Sequence, residues 1–171
     1  MFSRITTGAL LALALGGCHE PVDDMITPSA PKPTVVVANW AACAESARAA
    51  LNQSFWAPTD QYYLQNNSGK PDFNYWWQAH GLDILLDGYQ RTKVLDYITK
   101  MQQLQQGTKK KNGNTYLNNF YDDMAWQALA NLRAFQITQD PSYKTTAQLL
   151  WADLKTGWNT NQGGGIAWRK N

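Results

Sequence analysis

Residues 120–138 read FYDDMAWQALANLRAFQIT. After the two aspartates, Ala125, Leu129, Leu132 and Phe135 recur every three or four residues, the period of a helix with one apolar face. Asp122 and Asp123 stand where that helix begins. Acidic residues are favoured there because free backbone N–H groups and the macrodipole stabilise negative charge. The pair also fits a chemical use. Glycoside hydrolysis needs one carboxyl to donate a proton and a second to act as nucleophile or base. Adjacent helical residues point about 100° apart, and near a helix end they still reach the short separation of a retaining pair. Two neighbouring carboxylates repel, which raises one pKa and keeps a proton available. The spelling alone leaves both readings open, a helix cap and an acid/base pair.

The same period runs outward in both directions. In ANWAACAESARAALNQSFW (38–56), Trp40, Ala44, Ala47, Leu51 and Phe55 form a stripe in an alanine-rich run of high helix propensity, which Pro58 ends. Cys43 lies in that run and reads as a buried, inert thiol. A polar loop over 57–71 carries Asn66, Asn67, Ser68 and Gly69 as turn residues. DFNYWWQAHGLDILLDGYQRT (72–92) gives a second helix, with Trp76, Ala79, Leu82 or Asp83, Leu86 and Tyr89 in register. VLDYITKMQQLQQG (94–107) gives a third, with Val94, Ile98, Met101 and Leu104 as its stripe and Gly107 as C-cap. TKKKNGN (108–114) reads as a solvated loop tip. A fifth helix opens at DPSY, where Asp140 is a natural N-cap and Pro141 costs nothing at the first helical position. Its stripe is Ala147, Leu150 or Trp151, Leu154 and Trp158. Five helices and no convincing strand predict an all-α fold of sequential antiparallel hairpins. Their irregular spacing is no solenoid period.

A length of 171 residues with 44% hydrophobic content suits one globular domain at most. The net charge of +2 is too small to argue for nucleic acid or an anionic surface as partner. Eight Trp and eight Tyr against five Phe supply flat apolar faces with polar handles, enough for a core and a wet cleft. No Cys/His spacing suggests zinc and no nucleotide motif occurs, so neither metal nor cofactor is expected. The chain opens MFSRITTGALLALALGGCHEP. Arg4, a short apolar stretch from Gly8 to Leu15, and small residues before Cys18 read as a signal peptide over 1–17. LGGC resembles a lipobox, which implies lipidation of Cys18, a membrane partner through that anchor and a bacterial cell-envelope location. Residues 19–37 hold four prolines and no helical period, so 18–37 read as a flexible tether.

FNYWWQAHGLDILLDGYQRT, FYDDMAWQALANLRAF, DPSY and GGGIAW, in that order and spacing, resemble glycoside hydrolase family 76, the endo-α-1,6-mannanases, over roughly residues 38–170. The resemblance implies an (α/α)6 toroid, α-mannan as partner, and a retaining mechanism with Asp122 as nucleophile and Asp123 as general acid/base. It also places Gly163, Gly164 and Gly165 at the sugar cleft, where glycine lets the chain approach a ligand closely or take positive φ; a plain loop is the other reading. Trp76, Trp77 and Trp168 either stack on sugar faces or fill the inner barrel. His80, a turn after Trp76, either bonds a hydroxyl or is an ordinary helix-face histidine. Tyr121 beside the pair is a candidate hydrogen-bond donor. Two departures stand out. Ala167 precedes Trp168 where the family usually has an aromatic residue. A full toroid has twelve helices, against five here, so the chain reads as the N-terminal part of a catalytic domain, apparently truncated. The alternatives are a non-catalytic mannan-binding remnant and another (α/α)6 carbohydrate-active enzyme, which would lean on histidine and lack the DD pair.

Overall fold

The computed structural model describes residues 38–170; the stretches read above as a signal peptide and a tether, with Cys18, lie outside the described residues. Five helices follow one another: α1 (Trp40–Phe55), α2 (Tyr75–Thr92), α3 (Asp96–Lys111), α4 (Tyr121–Thr138) and α5 (Pro141–Leu154). They form antiparallel hairpins in which α2 packs on α3 and α4, and α4 on α5. The all-α class and the five helices agree with the sequence. Two small ribbons do not: β1 (Trp56–Ala57) pairs antiparallel with β2 (Tyr62–Tyr63), and β3 (Trp158–Asn159) with β4 (Gly165–Ile166). Two-residue strands carry no period for a sequence to display.

The main core joins Leu82, Leu85 and Leu86 of α2 to Met101 and Leu104 of α3 and to Ala130 and Ala134 of α4, under Tyr62 and Tyr63. Full burial of each leucine contributes about 1.5–3 kcal/mol. Gln78, only 1% exposed, accepts from the Tyr63 N–H at 2.9 Å and donates to the Tyr63 carbonyl at 2.8 Å, which locks β2 onto α2. Asp140 caps α5 as its sequence suggests, accepting from the Ser142 N–H at 2.9 Å.

Several helix faces differ from the expected stripes. On α4, Leu129 and Leu132 face outward, and the buried side is Tyr121, Met124, Gln127, Ala130, Asn131 and Ala134. Small and amide side chains let α4 lie close to α2, with Gln127 donating to the Tyr75 carbonyl at 3.2 Å and Gln105 to Asn131 at 2.7 Å. Helix α3 does not stop at Gly107. It runs on to Lys111, and its three lysines sit in the last turn, where positive charge suits the helix dipole. Val94 precedes it and is exposed. On α5 the inward choice is Leu150, with Trp151 exposed and Trp158 in β3.

Helix α1 buries no residue completely, so Trp40, Ala47 and Cys43 are exposed, and the thiol is not the buried one expected. Only Leu51 and Phe55 pack on the core. A polar knot holds the rest. Glu45 accepts from the Tyr97 hydroxyl at 2.6 Å and pairs with Arg91 and with Arg48. The Tyr97 bond, then Arg91, holds the Glu45 carboxyl down to about 2.

Candidate active site

The first turns of α2 and α4 open side by side onto a cavity of about 830 Å³. Tyr75 anchors this end. Its hydroxyl donates to the Tyr116 carbonyl at 2.5 Å, tying α2 to the 112–120 segment that walls the cavity. Asn112 shapes that wall by donating to the carbonyls of Thr115 at 2.8 Å and Leu117 at 2.9 Å.

The chain after α5 completes the site. Gly163 and Gly164 both take φ of +93°, which a side chain rarely tolerates, and they turn the chain back on itself between β3 and β4. The returning strand then runs along the start of α4. The Tyr121 N–H donates to the Trp168 carbonyl at 2.9 Å and the Lys170 N–H to the Asn119 carbonyl at 2.8 Å. Lys170 also pairs with Asp153 at 2.6 Å. This seating brings the Trp168 indole N–H to Asp122, 3.1 Å from Oδ2.

The two aspartates therefore have different surroundings. Neither is the N-cap of α4, which is Phe120, without a side-chain cap bond. Asp122 accepts from the Trp168 indole and, through Oδ1, from the Asp123 N–H at 3.0 Å. Both bonds orient it. Asp123 has no ion-pair or side-chain hydrogen-bond partner among the described residues. Burial, and then the charge of Asp122, push its pKa up. One carboxylate is fixed and solvated by donors while its neighbour holds a proton more tightly, the division of labour that acid-assisted displacement at an acetal carbon requires.

Asp122, Asp123, Trp76 and Trp168 all line this cavity. Trp126, which flanks the pair in the sequence but was not among the expected sugar contacts, lines it as well. It lies three and four residues after the pair, so it shares their helix face. Its ring stands 4.9 Å from His80, whose ring is 5.3 Å from Trp76, and Trp77 meets Trp76 edge-on at 5.9 Å. Trp76 and Trp126 thus form one aromatic side of the cavity with His80 between them, while Trp168 and Phe120 form another. Tyr121 is placed elsewhere: it is buried, with its hydroxyl 3.2 Å from Thr156. Gly164 and Gly165 line a separate depression of about 390 Å³ with Asn159 and Asn161. The glycine segment serves this cavity through the tryptophan that it positions.

The family model described as Glycosyl hydrolase family 76 matches residues 39–171. Among solved structures, the chain is similar to the GH76A α-1,6-mannanase of Salegentibacter sp. HEL1_6, with a TM-score of 0.74 and 43% identity over 77% of this chain and 38% of that one. An inactive variant of that mannanase, with two adjacent aspartates changed to asparagine and in complex with α-1,6-mannotriose, gives a TM-score of 0.75 and 41% identity over 78% and 39%. A Listeria innocua protein gives a TM-score of 0.70 and 37% identity over 77% and 40%. The chain spans less than half the length of each of these relatives. Comparison with curated proteins gives no match. On the structural likeness, the five helices are part of an (α/α)6 toroid.

Proposed function

Because the chain belongs to glycosyl hydrolase family 76, we propose that it forms the acid/base half of a retaining α-1,6-mannan hydrolase. The observation that carries this reading is the asymmetry of the aspartate pair: Asp122 is held by the Trp168 indole and Asp123 has its pKa raised by burial beside it. Asp122 attacks the anomeric carbon and Asp123 protonates the leaving oxygen; Asp123, then ionised, activates the water that releases the mannosyl group. Trp76, Trp126 and Trp168 offer flat faces to the sugar rings on either side of the scissile bond. An adjacent aspartate pair is also what is replaced in the inactive relative. Asp122–Asp123 is the one such pair between residues 38 and 170.

The direct test follows the products. Residues 39–170 replace the matching segment of the Salegentibacter enzyme, and the chimera is given α-1,6-mannotetraose. Proton NMR of the anomeric signals is expected to show the α-anomer first. A β-anomer appearing first overturns the retaining mechanism, and no cleavage overturns the reading as a whole.

We further propose that Cys18 carries a lipid that places the protein at the bacterial envelope, supported by the LGGC sequence after an apolar stretch. The wild-type chain is expected in the membrane fraction and Cys18→Ser in the soluble one. Equal partitioning of the two sinks the anchor.

A further inference from the structure

Two hydrogen bonds meet at Tyr75, and they lead to opposite sides of the cavity that holds the aspartates. Its backbone carbonyl accepts from Gln127 at 3.2 Å. Gln127 lies four residues after Asp123, one turn along α4. Its hydroxyl donates to the Tyr116 carbonyl at 2.5 Å. Among the described residues this is the only side-chain hydrogen bond between α2 and the 112–120 wall, and no other group bonds that carbonyl. Tyr75 is buried, and it shares the cavity lining with Asp123. The charge of Asp123 is felt at the phenol. After burial, it is the next influence that pushes the Tyr75 pKa up, so the hydroxyl keeps its proton and stays a donor.

We propose that Tyr75 is a positioning residue for the general acid: its hydroxyl holds the 112–120 wall in place, and the closed wall limits the water that reaches Asp123. That Asp123 is the general acid rests on the function proposed above; the shielding of its carboxyl does not. Without the phenol oxygen, the Tyr116 carbonyl loses its one donor, and water is the group available to replace it. That water stands beside a carboxyl whose preference for its neutral form comes first from burial. The other influences on Asp123 stay as they are. Asp122, the remaining ionisable group of the lining, keeps its charge. On the returning strand, Lys170 is turned to Asp153 and Arg169 lies 5.9 Å from the Trp168 ring. On α2, His80 stands between the rings of Trp76 and Trp126. None of these is tied to the Tyr75 hydroxyl, so burial is the part that Tyr75 governs.

The test reads Asp123 without needing activity. In the full chain, ¹³C NMR follows the Asp123 carboxyl through an acid titration. Tyr75→Phe keeps the ring and removes only the hydroxyl. The titration midpoint is expected to fall toward the ordinary carboxyl value of ~3.9 and to stop above it, because Asp122 is still present. Asn112→Ala loosens the same wall by freeing the Thr115 and Leu117 carbonyls, and is expected to move the midpoint the same way. Arg133→Gln is the comparison. It breaks ion pairs with Asp83 and Asp87 between the same two helices, away from the cavity, and is expected to leave the midpoint where it is. A midpoint that Tyr75→Phe does not lower, or that Arg133→Gln lowers as much, overturns the positioning role. Should the phenylalanine variant not fold, Asn112→Ala decides in the same way. The mannanase reading is judged separately, by the pH profile of the chimera on α-1,6-mannotetraose. Its rate falls as pH rises through the pKa of the general acid, so Tyr75→Phe is expected to move that limb to lower pH. A midpoint that falls while the limb stays upholds the shielding and counts against Asp123 as the acid.

Discussion

Asp123→Asn is expected to slow cleavage of α-1,6-mannan by a factor of order 10²–10⁴, the range for loss of a positioned general acid. Asp122→Asn is expected to slow it at least as much. The two variants part company on substrates with an activated leaving group. Departure then needs no proton, so Asp123→Asn recovers much of its rate, whereas Asp122→Asn, which lacks the attacking group, does not. The chimera with the Salegentibacter enzyme is the protein to assay, since the relatives are more than twice as long as this segment. Stability separates catalysis from capping. Loss of a cap costs about 1 kcal/mol, but neither aspartate is the N-cap, and Asp123 is held with its pKa raised. A raised carboxyl pKa means that the fold prefers the neutral acid. That preference is fully satisfied below the ordinary carboxyl range and is lost as pH rises through the raised value. Asp123→Asn is therefore expected to match wild-type melting near pH ~3 and to exceed it near pH ~8. A variant that melts lower at both pH values while cleaving mannan at the wild-type rate would make the pair a structural cap and nothing more.

Gly107→Ala carries the largest expected cost to stability. A Cβ at Gly107 would meet the carbonyl oxygens of Gln61 at 2.1 Å and Asp60 at 2.4 Å. Both are backbone atoms, and the chain there is held by β2, whose Tyr62 and Tyr63 are core residues. No rotamer change relieves such a contact, so the loop must lift or α3 must bend. The expected loss is about 3 kcal/mol, the upper end for overpacking, or ~10 °C of melting temperature for a domain of this size. Gly113→Ala is the control. Gly113 has positive φ but nothing within 4 Å of the added carbon, so only its backbone strain, about 1 kcal/mol, is at stake. Equal melting of the two variants would mean that the loop yields freely and that Gly107 is not a contact point.

Gly107 also shows where the sequence stopped being readable. A glycine at the end of an apolar stripe, followed by lysines, has the local look of a helix stop, but this one lies inside α3, where only a residue without a Cβ fits against the Asp60 and Gln61 carbonyls. The helices themselves were legible because a 3.6-residue period is a local property. Which side of each helix faces inward is not local. On α4 the side that packs on α2 carries Gln127 and Asn131, whose amides bond the Tyr75 carbonyl and Gln105, while Leu129 and Leu132 are exposed in a chain that spans less than half the length of its relatives. Cys43 was misplaced for a related reason: an alanine-rich helix attached through Glu45 and two final apolar residues buries little of itself. In the candidate site, the aspartate pair and Trp168 could be named from the sequence. Trp126 could have been found too, since its three- and four-residue spacing from the pair places it on their face. The difference between the two carboxylates could not, because it depends on a strand that returns from beyond α5.

That return has a consequence in time. The Trp168 indole and the Asp122 carboxylate that it orients are 46 positions apart in the chain. During synthesis at about 5–20 residues per second, roughly 2–9 s separate the emergence of the aspartates from that of the tryptophan. Helix α4 forms far faster than that. For that interval both aspartates have been made and the group that orients one of them has not. The aim of Asp122 is set only when that closure forms, and its entropic cost grows slowly with the length of chain enclosed.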